Sequence, residues 1–261
     1  MNEFRHVELC MGTAFQYFGR TDLADQKLTE AIRESVAALH NADNVFSLYK
    51  PDSPLSQLAR GEVSIAELPE IVSFIWDECE RWSELTDGWF SSMTNENTFD
   101  PSGLVKAWAT EVAANKLEEF GITDFAINAG GDIRLSKNIS SGKPKRIGIT
   151  KPVSITETNE AITVIDLNDT EFFAVATSGT AERGNHIWNS KEQKPADDFL
   201  QVTVVAKDII TADVLATAIF AAGNQAETLI TKFANQIEVL IINSAKETFS
   251  TPGFSKLISP V

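Results

Sequence analysis

The chain contains few of the residues that mark several common classes of protein. Its 261 residues include only two cysteines, Cys10 and Cys79, and only three histidines. Two cysteines are too few for the disulfide framework of a small secreted protein or for a cysteine-rich zinc site. We therefore expect both to be small buried hydrophobic residues of a protein in a reducing compartment.

Basic residues are also scarce. Lys and Arg number 22 against 37 Asp and Glu, which gives a formal net charge of −15. Proteins that bind nucleic acid neutralise its phosphates with clustered Lys and Arg, so nucleic acid is not an expected partner. The acidic balance leaves divalent cations open as ligands, but otherwise indicates mainly solubility.

Long apolar runs are a third feature that we do not find in the sequence. We find no run near the roughly 18 residues that a membrane span requires. The first residues, MNEFRHVELCMGTAF, lack the basic start, apolar stretch and small-residue cleavage site of a secretory signal. We therefore predict no membrane span and a cytoplasmic location.

Apolar periodicity predicts several helices and strands without a regular alternation. In DQKLTEAIRESVAALHNADNVF, the apolar face contains Leu28, Ile32, Val36 and Leu39. Further helices are predicted in SIAELPEIVSFIWDECERWSELTDG, DPSGLVKAWATEVAANKLEEFG, ITADVLATAIFAAG and AETLITKFANQ, and strands in DFAINAGGDIRLS, RIGIT, ITVIDL, EFFAVATSG, LQVTVVA and EVLIINS. This order predicts an α+β fold, with mixed or antiparallel sheets and packed helices, in a single domain over residues 1–261.

Polar residues interrupt two of the predicted helices. Asp213 and Thr217 lie one turn apart on one face of an apolar helix. Asp213 could cap that helix, but capping does not explain Thr217, and two such oxygens suit a hard cation such as Mg²⁺.

In FDPSGLVKAW, Asp100 before Pro101 is typical of a helix cap. Lys106 in the first two turns also fits an anion site.

Two glycine-containing segments have equally open interpretations. Gly130 and Gly131 in NAGGDIRLS fit a tight hairpin, and they also fit a close approach of the backbone to a ligand. His186 lies in the polar segment TSGTAERGNHIWN. A lone histidine is usually a surface or core residue, but its place in a polar loop after a strand also suits proton chemistry.

Taken in order, these segments resemble the ApbE family of FAD:protein FMN transferases. The similar segments are MGTAF, VFSLYKPDSPLSQLA, TDGWF, DPSGLVKAWATE, INAGGDI, ATSGTAERGNHI and ADVLATA. The resemblance extends over essentially the whole chain and implies an ApbE-like fold, similar to the T-fold. It implies an enzyme that cleaves the FAD pyrophosphate with Mg²⁺, attaches FMN to a Thr or Ser hydroxyl of an acceptor protein with a flavinylation motif, and releases AMP.

The resemblance also implies roles for individual residues. Met11 and Tyr49 would flank the isoalloxazine ring, and a thioether and an aromatic face both pack well on a planar ring system. The other implied FAD-binding residues are Trp89, Phe90, Asp100, Lys106 and Ile187. The implied Mg²⁺ ligands are the carbonyl of Gly103 and the side chains of Asp213 and Thr217, with Asp213 and His186 as the catalytic residues and His186 as the base.

The sequence departs from the family pattern at three places. Ala107 replaces a frequent Gly, Ser91 replaces a frequent Asp, and NSKEQKP replaces a frequent Asp-Pro-x-Thr-Gly turn after the histidine. The last departure bears on the surface for the acceptor protein. Two alternatives therefore stay open: an FAD pyrophosphatase that yields FMN and AMP, and a flavin-binding protein without turnover.

We predict that His186→Ala keeps FAD binding and loses transfer, because a base that deprotonates the acceptor is not needed to hold FAD. FAD affinity and the mass of an acceptor protein are to be measured side by side. Loss of FAD binding in this variant would instead assign His186 a structural role.

Overall fold

A computed structural model of the chain describes residues 1–94, 96–137, 145–152, 160–179, 187–189, 191 and 194–259. The chain divides into two compact units. The first contains Met1–Leu85 and Ser91–Ser140, and the second contains Thr86–Phe90 and Ser141–Val261. His186 lies outside the described residues.

The first unit contains an antiparallel sheet of four strands in the order β1, β2, β3, β4. Their bounds are Asn2–Cys10, Thr13–Thr21, Asp124–Ala129 and Asp132–Leu135. Burial alternates along β3, as expected for a sheet with one face against a core. The Gly-Gly hairpin of β3 and β4 was predicted. The β1–β2 hairpin was not.

The helices of the first unit are α1, Asp25–Phe46; α2, Pro54–Ala59; a short 3-10 helix, Ile65–Glu67; α3, Glu70–Leu85; and α4, Ser102–Glu119. The helix predicted from Ser64 towards Gly88 is therefore wrong at both ends. The predicted helix is interrupted at Pro69, between the 3-10 helix and α3, and α3 ends at Leu85. Proline disfavours helical geometry in the residue that precedes it, which explains the division.

Helix α1 has the predicted bounds, but its buried face differs in part from the predicted one. Its buried residues include Ala31, Ser35 and Leu39, whereas Leu28 and Ile32 are only partly buried. The Ser35 hydroxyl is satisfied by donating to the carbonyl of Ala113 in α4 at 2.7 Å. The predicted face is thus only partly right: Leu39 is buried as predicted, and the contact with α4 also includes Phe46, whose ring packs edge-on against that of Trp108.

A buried ion-pair network joins α4 to β4. The Arg134 side chain has no solvent exposure, and its guanidinium contacts Glu111 at 3.0 Å and Glu118 at 2.9 Å. Lys137 adds a contact to Glu111 at 3.2 Å. Burial alone would raise the pKa of Glu111, but the hydrogen bonds and charge of Arg134 outweigh it, so this pKa is lowered from 4.5.

The second unit contains an antiparallel sheet in the order β7, β10, β11, β12, and every strand pairing described in either unit is antiparallel. The predicted α+β class is confirmed. The bounds of its strands are β5, Arg146–Thr150; β6, Ala161–Asp166; β7, Ala174–Gly179; β8, Trp188–Asn189; β9, Lys194–Pro195; β10, Phe199–Ala206; β11, Ile237–Asn243; and β12, Thr248–Ser250.

Helix α5, Ile209–Ala222, packs on β7 and β10. The other helical segments among the described residues of this unit are a 3-10 turn, Gly223–Gln225, and helices α6, Ala226–Lys232, and α7, Pro252–Leu257.

The segment Ile209–Lys232 corrects our reading of apolar runs. Its 24 residues are long and apolar enough to span a membrane by length and composition, with a mean hydropathy of 1.3 in an 18-residue window. However, 72% of that window is buried inside the protein. Packing of α5 in the core accounts for this composition.

Both cysteines are buried, as predicted. Cys10 is 6% exposed and Cys79 is 1% exposed. Burial, together with the nearby Asp43 carboxylate, raises the pKa of the Cys10 thiol to about 11. Burial raises the pKa of Cys79 to about 12.

We predict that Arg134→Met lowers the free energy of unfolding by about 1–3 kcal/mol, because it leaves the partly buried carboxylates of Glu111 and Glu118 without their guanidinium. Urea titration measures this loss. Arg33→Met is the matched control. The Arg33 side chain is 68% exposed and makes only surface ion pairs, so a change in the free energy of unfolding within about 0.5 kcal/mol is expected.

The contribution of the Arg134–Glu111 ion pair to stability has a defined pH dependence. Folding lowers the pKa of Glu111, so its contribution to stability is present above the ordinary value of 4.5 and is lost as the pH falls through the lowered pKa. Arg134→Met is expected to weaken this acid sensitivity. Equal slopes of stability against pH below 4.5 in the two proteins would contradict the assignment.

Candidate active site

The turn between β1 and β2 places Met11 in an unusual backbone conformation. Cys10 pairs with Thr13, so Met11 and Gly12 form a two-residue turn. Both have positive φ, 50° and 70°, as a type I′ hairpin turn requires. A residue with a side chain pays roughly 1–2 kcal/mol for this conformation. Strain of this kind is concentrated at functional sites, which agrees with the role predicted for Met11.

The turn between β3 and β4 lies beside the Met11–Gly12 turn. Gly130 and Gly131 both have positive φ, 61° and 102°, and they confirm the hairpin interpretation. The N–H of Gly130 donates to the carbonyl of Ala14 at 3.1 Å. A Cβ added to Gly130 would lie 2.4 Å from the Thr13 hydroxyl oxygen, so only glycine fits.

Helix α4 presents Asp100 and Lys106 near its N-terminus. The Asp100 carboxylate accepts the N–H of Ser102 at 3.0 Å, but the N-cap of α4 is Pro101 and the helix begins at Ser102, so the predicted cap is wrong by one residue. Lys106 makes an ion pair with Asp132, the first residue of β4. Gly103 lies in the first turn of α4, and Ala107 is 1% exposed, so its methyl group is accommodated in the core.

The segment before α2 leaves the Tyr49 ring in solvent. Tyr49 is 98% exposed. Two serine hydroxyls hold its neighbours: Ser53 and Ser56 both donate to the carbonyl of Ser47, at 2.6 Å and 3.2 Å. Ser53 also caps α2 by accepting the N–H of Ser56. The serines of this element are therefore structural, and they present an aromatic face that a planar ligand can cover.

In the second unit, α5 holds Asp213 inside the helix rather than at its end. The cap is Asp208, whose carboxylate accepts the N–H of Thr211 at 2.8 Å. Asp213 is only 7% exposed. Thr217 shares a hydrogen bond with the Ser178 hydroxyl of β7, with the two oxygens 3.1 Å apart. The capping interpretation of Asp213 is thus wrong.

The donor atoms on this helix fit a hard cation. A carboxylate and a hydroxyl, one turn apart, are oxygen ligands of the kind that Mg²⁺ accepts. Zinc would require nitrogen or sulfur ligands. Within the described ranges, no group of three or more His, Cys, Asp or Glu side chains could hold a metal ion. The chemistry of Asp213 and Thr217 therefore fits magnesium better than zinc.

The other predicted residues of the second unit are mostly buried. Trp89 is 4% exposed, Phe90 2% and Ile187 8%. The Lys191 ammonium lies 4.0 Å from the centroid of the Trp89 ring, at the distance of a cation–π contact. Contact of Trp89, Phe90 and Ile187 with a flavin stays a prediction.

Comparison with known proteins decides the family. The model of the ApbE family matches residues 90–241, which is more than half of the chain. This chain belongs to the ApbE family. The resemblance identified from the seven sequence segments is confirmed.

Curated ApbE relatives are similar over part of their length. A protein of Vibrio cholerae named FAD:protein FMN transferase is 32% identical over 159 residues, covering 58% of this chain and 46% of the relative. A protein of the same name from Haemophilus influenzae is 30% identical over 169 residues, covering 60% and 48%. The chain thus matches about half the length of these relatives.

Solved ApbE structures share the fold over the whole chain. The ApbE protein of Thermotoga maritima has a TM-score of 0.79 at 22% identity, covering 99% of this chain and 100% of that one. The flavin transferase ApbE of Vibrio cholerae has a TM-score of 0.77 at 23% identity, covering 98% and 99%.

Two residues of this ApbE protein that contact predicted site residues were missed in the sequence. Asp132 contacts Lys106, and Ser178 contacts Thr217. Both lie inside recognised segments, GGD and TSG. A polar residue directly after a tight glycine turn, or within a short strand that ends in glycine, is a signal that could have identified them.

Proposed function

We propose that this chain transfers FMN from FAD to a threonine or serine hydroxyl of a target protein and releases AMP. Membership of the ApbE family and the names of the curated relatives support the proposal. Four of the seven sequence motifs that implied this activity lie within the matched region, residues 90–241.

The observation that carries the proposal is the position of Asp213 in α5. Burial of a carboxylate is costly, and Asp208 already caps the helix. Helix capping therefore does not explain an acidic residue at this position. A role as ligand of a divalent cation does account for it, and it also explains the hydroxyl of Thr217 one turn later.

Asp213, Thr217 and the carbonyl oxygen of Gly103 are the groups that would hold Mg²⁺. When bound, magnesium supplies Lewis-acid activation of a phosphoryl group. The contact between Thr217 and Ser178 limits the rotation of the Thr217 side chain. Ser178 thereby prepares the hydroxyl for its role as ligand.

The remaining residues bind FAD in this proposal. The Lys106 ammonium suits an anionic pyrophosphate, because lysine binds phosphate as a point charge. Met11, on its strained turn, and the exposed ring of Tyr49 offer polarizable and aromatic surfaces to the isoalloxazine ring. Trp89, Phe90, Asp100 and Ile187 complete the proposed FAD-binding set.

His186 is the proposed base. It takes the proton of the acceptor hydroxyl while that oxygen attacks the phosphorus of the FMN half. The new phosphoester bond forms as the bond from that phosphorus to the bridging pyrophosphate oxygen breaks, and AMP leaves with that oxygen. A histidine with a pKa near 6.5 suits this transfer at neutral pH.

We further propose that residues 1–261 serve this activity as one domain. The two compact units alternate along the chain, since Thr86–Phe90 belongs to the second unit and Ser91–Ser140 to the first. A solved ApbE chain is covered over 100% of its length by residues of this chain, which supports a single domain.

We predict that an acceptor protein with a flavinylation motif gains the mass of one FMN group when it is incubated with this protein, FAD and Mg²⁺. Intact-mass spectrometry measures the gain, and AMP is assayed in the same reaction. AMP without added mass would instead indicate the pyrophosphatase. Neither product, with an acceptor that a relative modifies in parallel, would indicate a binding protein without turnover.

We predict that Asp213→Ala abolishes transfer and leaves the fold intact. Asp208→Ala should keep transfer and lower the stability of the fold. Loss of the Asp208 cap should lower the free energy of unfolding by about 0.5–2 kcal/mol with transfer kept. Urea titration and transfer rates are measured for both variants. Full Mg²⁺-dependent transfer by Asp213→Ala would refute the ligand role.

A further inference from the structure

We propose that Asp132 is a positioning residue, which holds the Lys106 side chain in place for FAD. The inference rests on the proposed function, in which Lys106 contacts FAD. Asp132 acts in this proposal through Lys106 and does not itself touch the substrate.

The two residues of this ion pair differ in burial. The Asp132 side chain is 4% exposed, and that of Lys106 is 26% exposed. The carboxylate is thus held inside the first unit, while part of the lysine side chain reaches solvent. A buried carboxylate requires a charged partner at all times, because desolvation of an unpaired charge is costly. An ammonium has three donors, so Lys106 can keep its contact with Asp132 while it serves a ligand.

The turn before Asp132 fixes the position of its carboxylate. Gly130 donates its N–H to the carbonyl of Ala14, and Gly131 donates its N–H to the side chain of Asn128 at 2.8 Å. Asp132 itself pairs with Ala129 across the hairpin. The carboxylate is thus mounted on a turn with several backbone restraints, as expected of a residue that orients another.

The helix that carries Lys106 is fixed against the same strand. Arg134 follows Asp132 by two residues on β4, and it contacts Glu111 and Glu118 of α4. Helix and strand cannot shift along each other without breaking these buried contacts. The distance between the backbones of Lys106 and Asp132 is therefore set independently of their own ion pair.

Fixing a lysine in advance saves the cost of ordering it when the ligand binds. That cost, for one long side chain, corresponds to roughly a three- to tenfold change in affinity. Removal of Asp132 also removes a negative charge, which by itself favours an anionic ligand. The two effects are separated by comparing alanine with asparagine. Both remove the charge, but only asparagine keeps an oxygen that can accept a hydrogen bond from Lys106.

The test measures the dissociation constant of FAD by calorimetry, with the full chain and no acceptor protein. We expect Asp132→Ala to bind FAD roughly three- to tenfold more weakly than Asp132→Asn. In a Lys106→Met background this difference should vanish. In the transfer assay, the difference should appear in KM for FAD more than in kcat. If Asp132→Ala does not fold, Asp132→Ser replaces it in the test, because the serine side chain is too short for its oxygen to reach the Lys106 ammonium.

Asp124 provides the matched control. It lies at the other end of the same hairpin and makes a similar ion pair, with Arg20 at 2.6 Å and side chains 16% and 20% exposed. Asp124→Ala and Asp124→Asn should bind FAD alike. Equal affinities of the two Asp132 variants, or a difference that persists with Lys106→Met, would overturn the role of Asp132. Failure of the unaltered chain to bind FAD would overturn the proposed function itself.

Discussion

The contact of Arg134 with Glu111 and Glu118 is the constraint on which the candidate site of the first unit depends. Helix α4 buries several alanines, including Ala107, Ala109 and Ala113. Apolar packing is non-directional, so it defines the register between a helix and a sheet less sharply than a charged contact does. A buried guanidinium between two carboxylates allows one register only, because any shift would strand a charge away from water. The positions of Asp100 and Lys106 follow from that register.

Local signals were enough to predict much of the fold. The bounds of α1, the Gly-Gly hairpin and the helix at α5 depend on periodicity and turn residues within a short window. The β1–β2 hairpin lacks such signals, because its turn is Met11–Gly12 and its first strand, NEFRHVELC, contains only one β-branched residue. The buried face of α1 was misassigned in part, because Ala31 and Ser35 are less hydrophobic than Ile32 and Val36 beside them. Their small size, rather than their hydropathy, selects them for a close helix contact.

The same distinction applies to the candidate site. Asp213 and Thr217 could be identified because their spacing is a property of one helix. Asp132 and Ser178 were missed, because the glycines beside them do not indicate their partners, which lie 26 and 39 residues away in the sequence. Contacts at such separations depend on which strand ends beside which helix. The seven motifs therefore identified proposed ligand-binding residues more readily than the residues that contact them.

The burial of both cysteines has a practical consequence for spectroscopy. Thiol reagents react with the thiolate, and the pKa values of about 11 and about 12 leave Cys10 and Cys79 almost entirely protonated at neutral pH. Their side chains are also nearly inaccessible. A cysteine introduced at an exposed position would thus be modified selectively in the natural background. Fluorophores or spin labels can then be attached to each unit without first removing the native thiols.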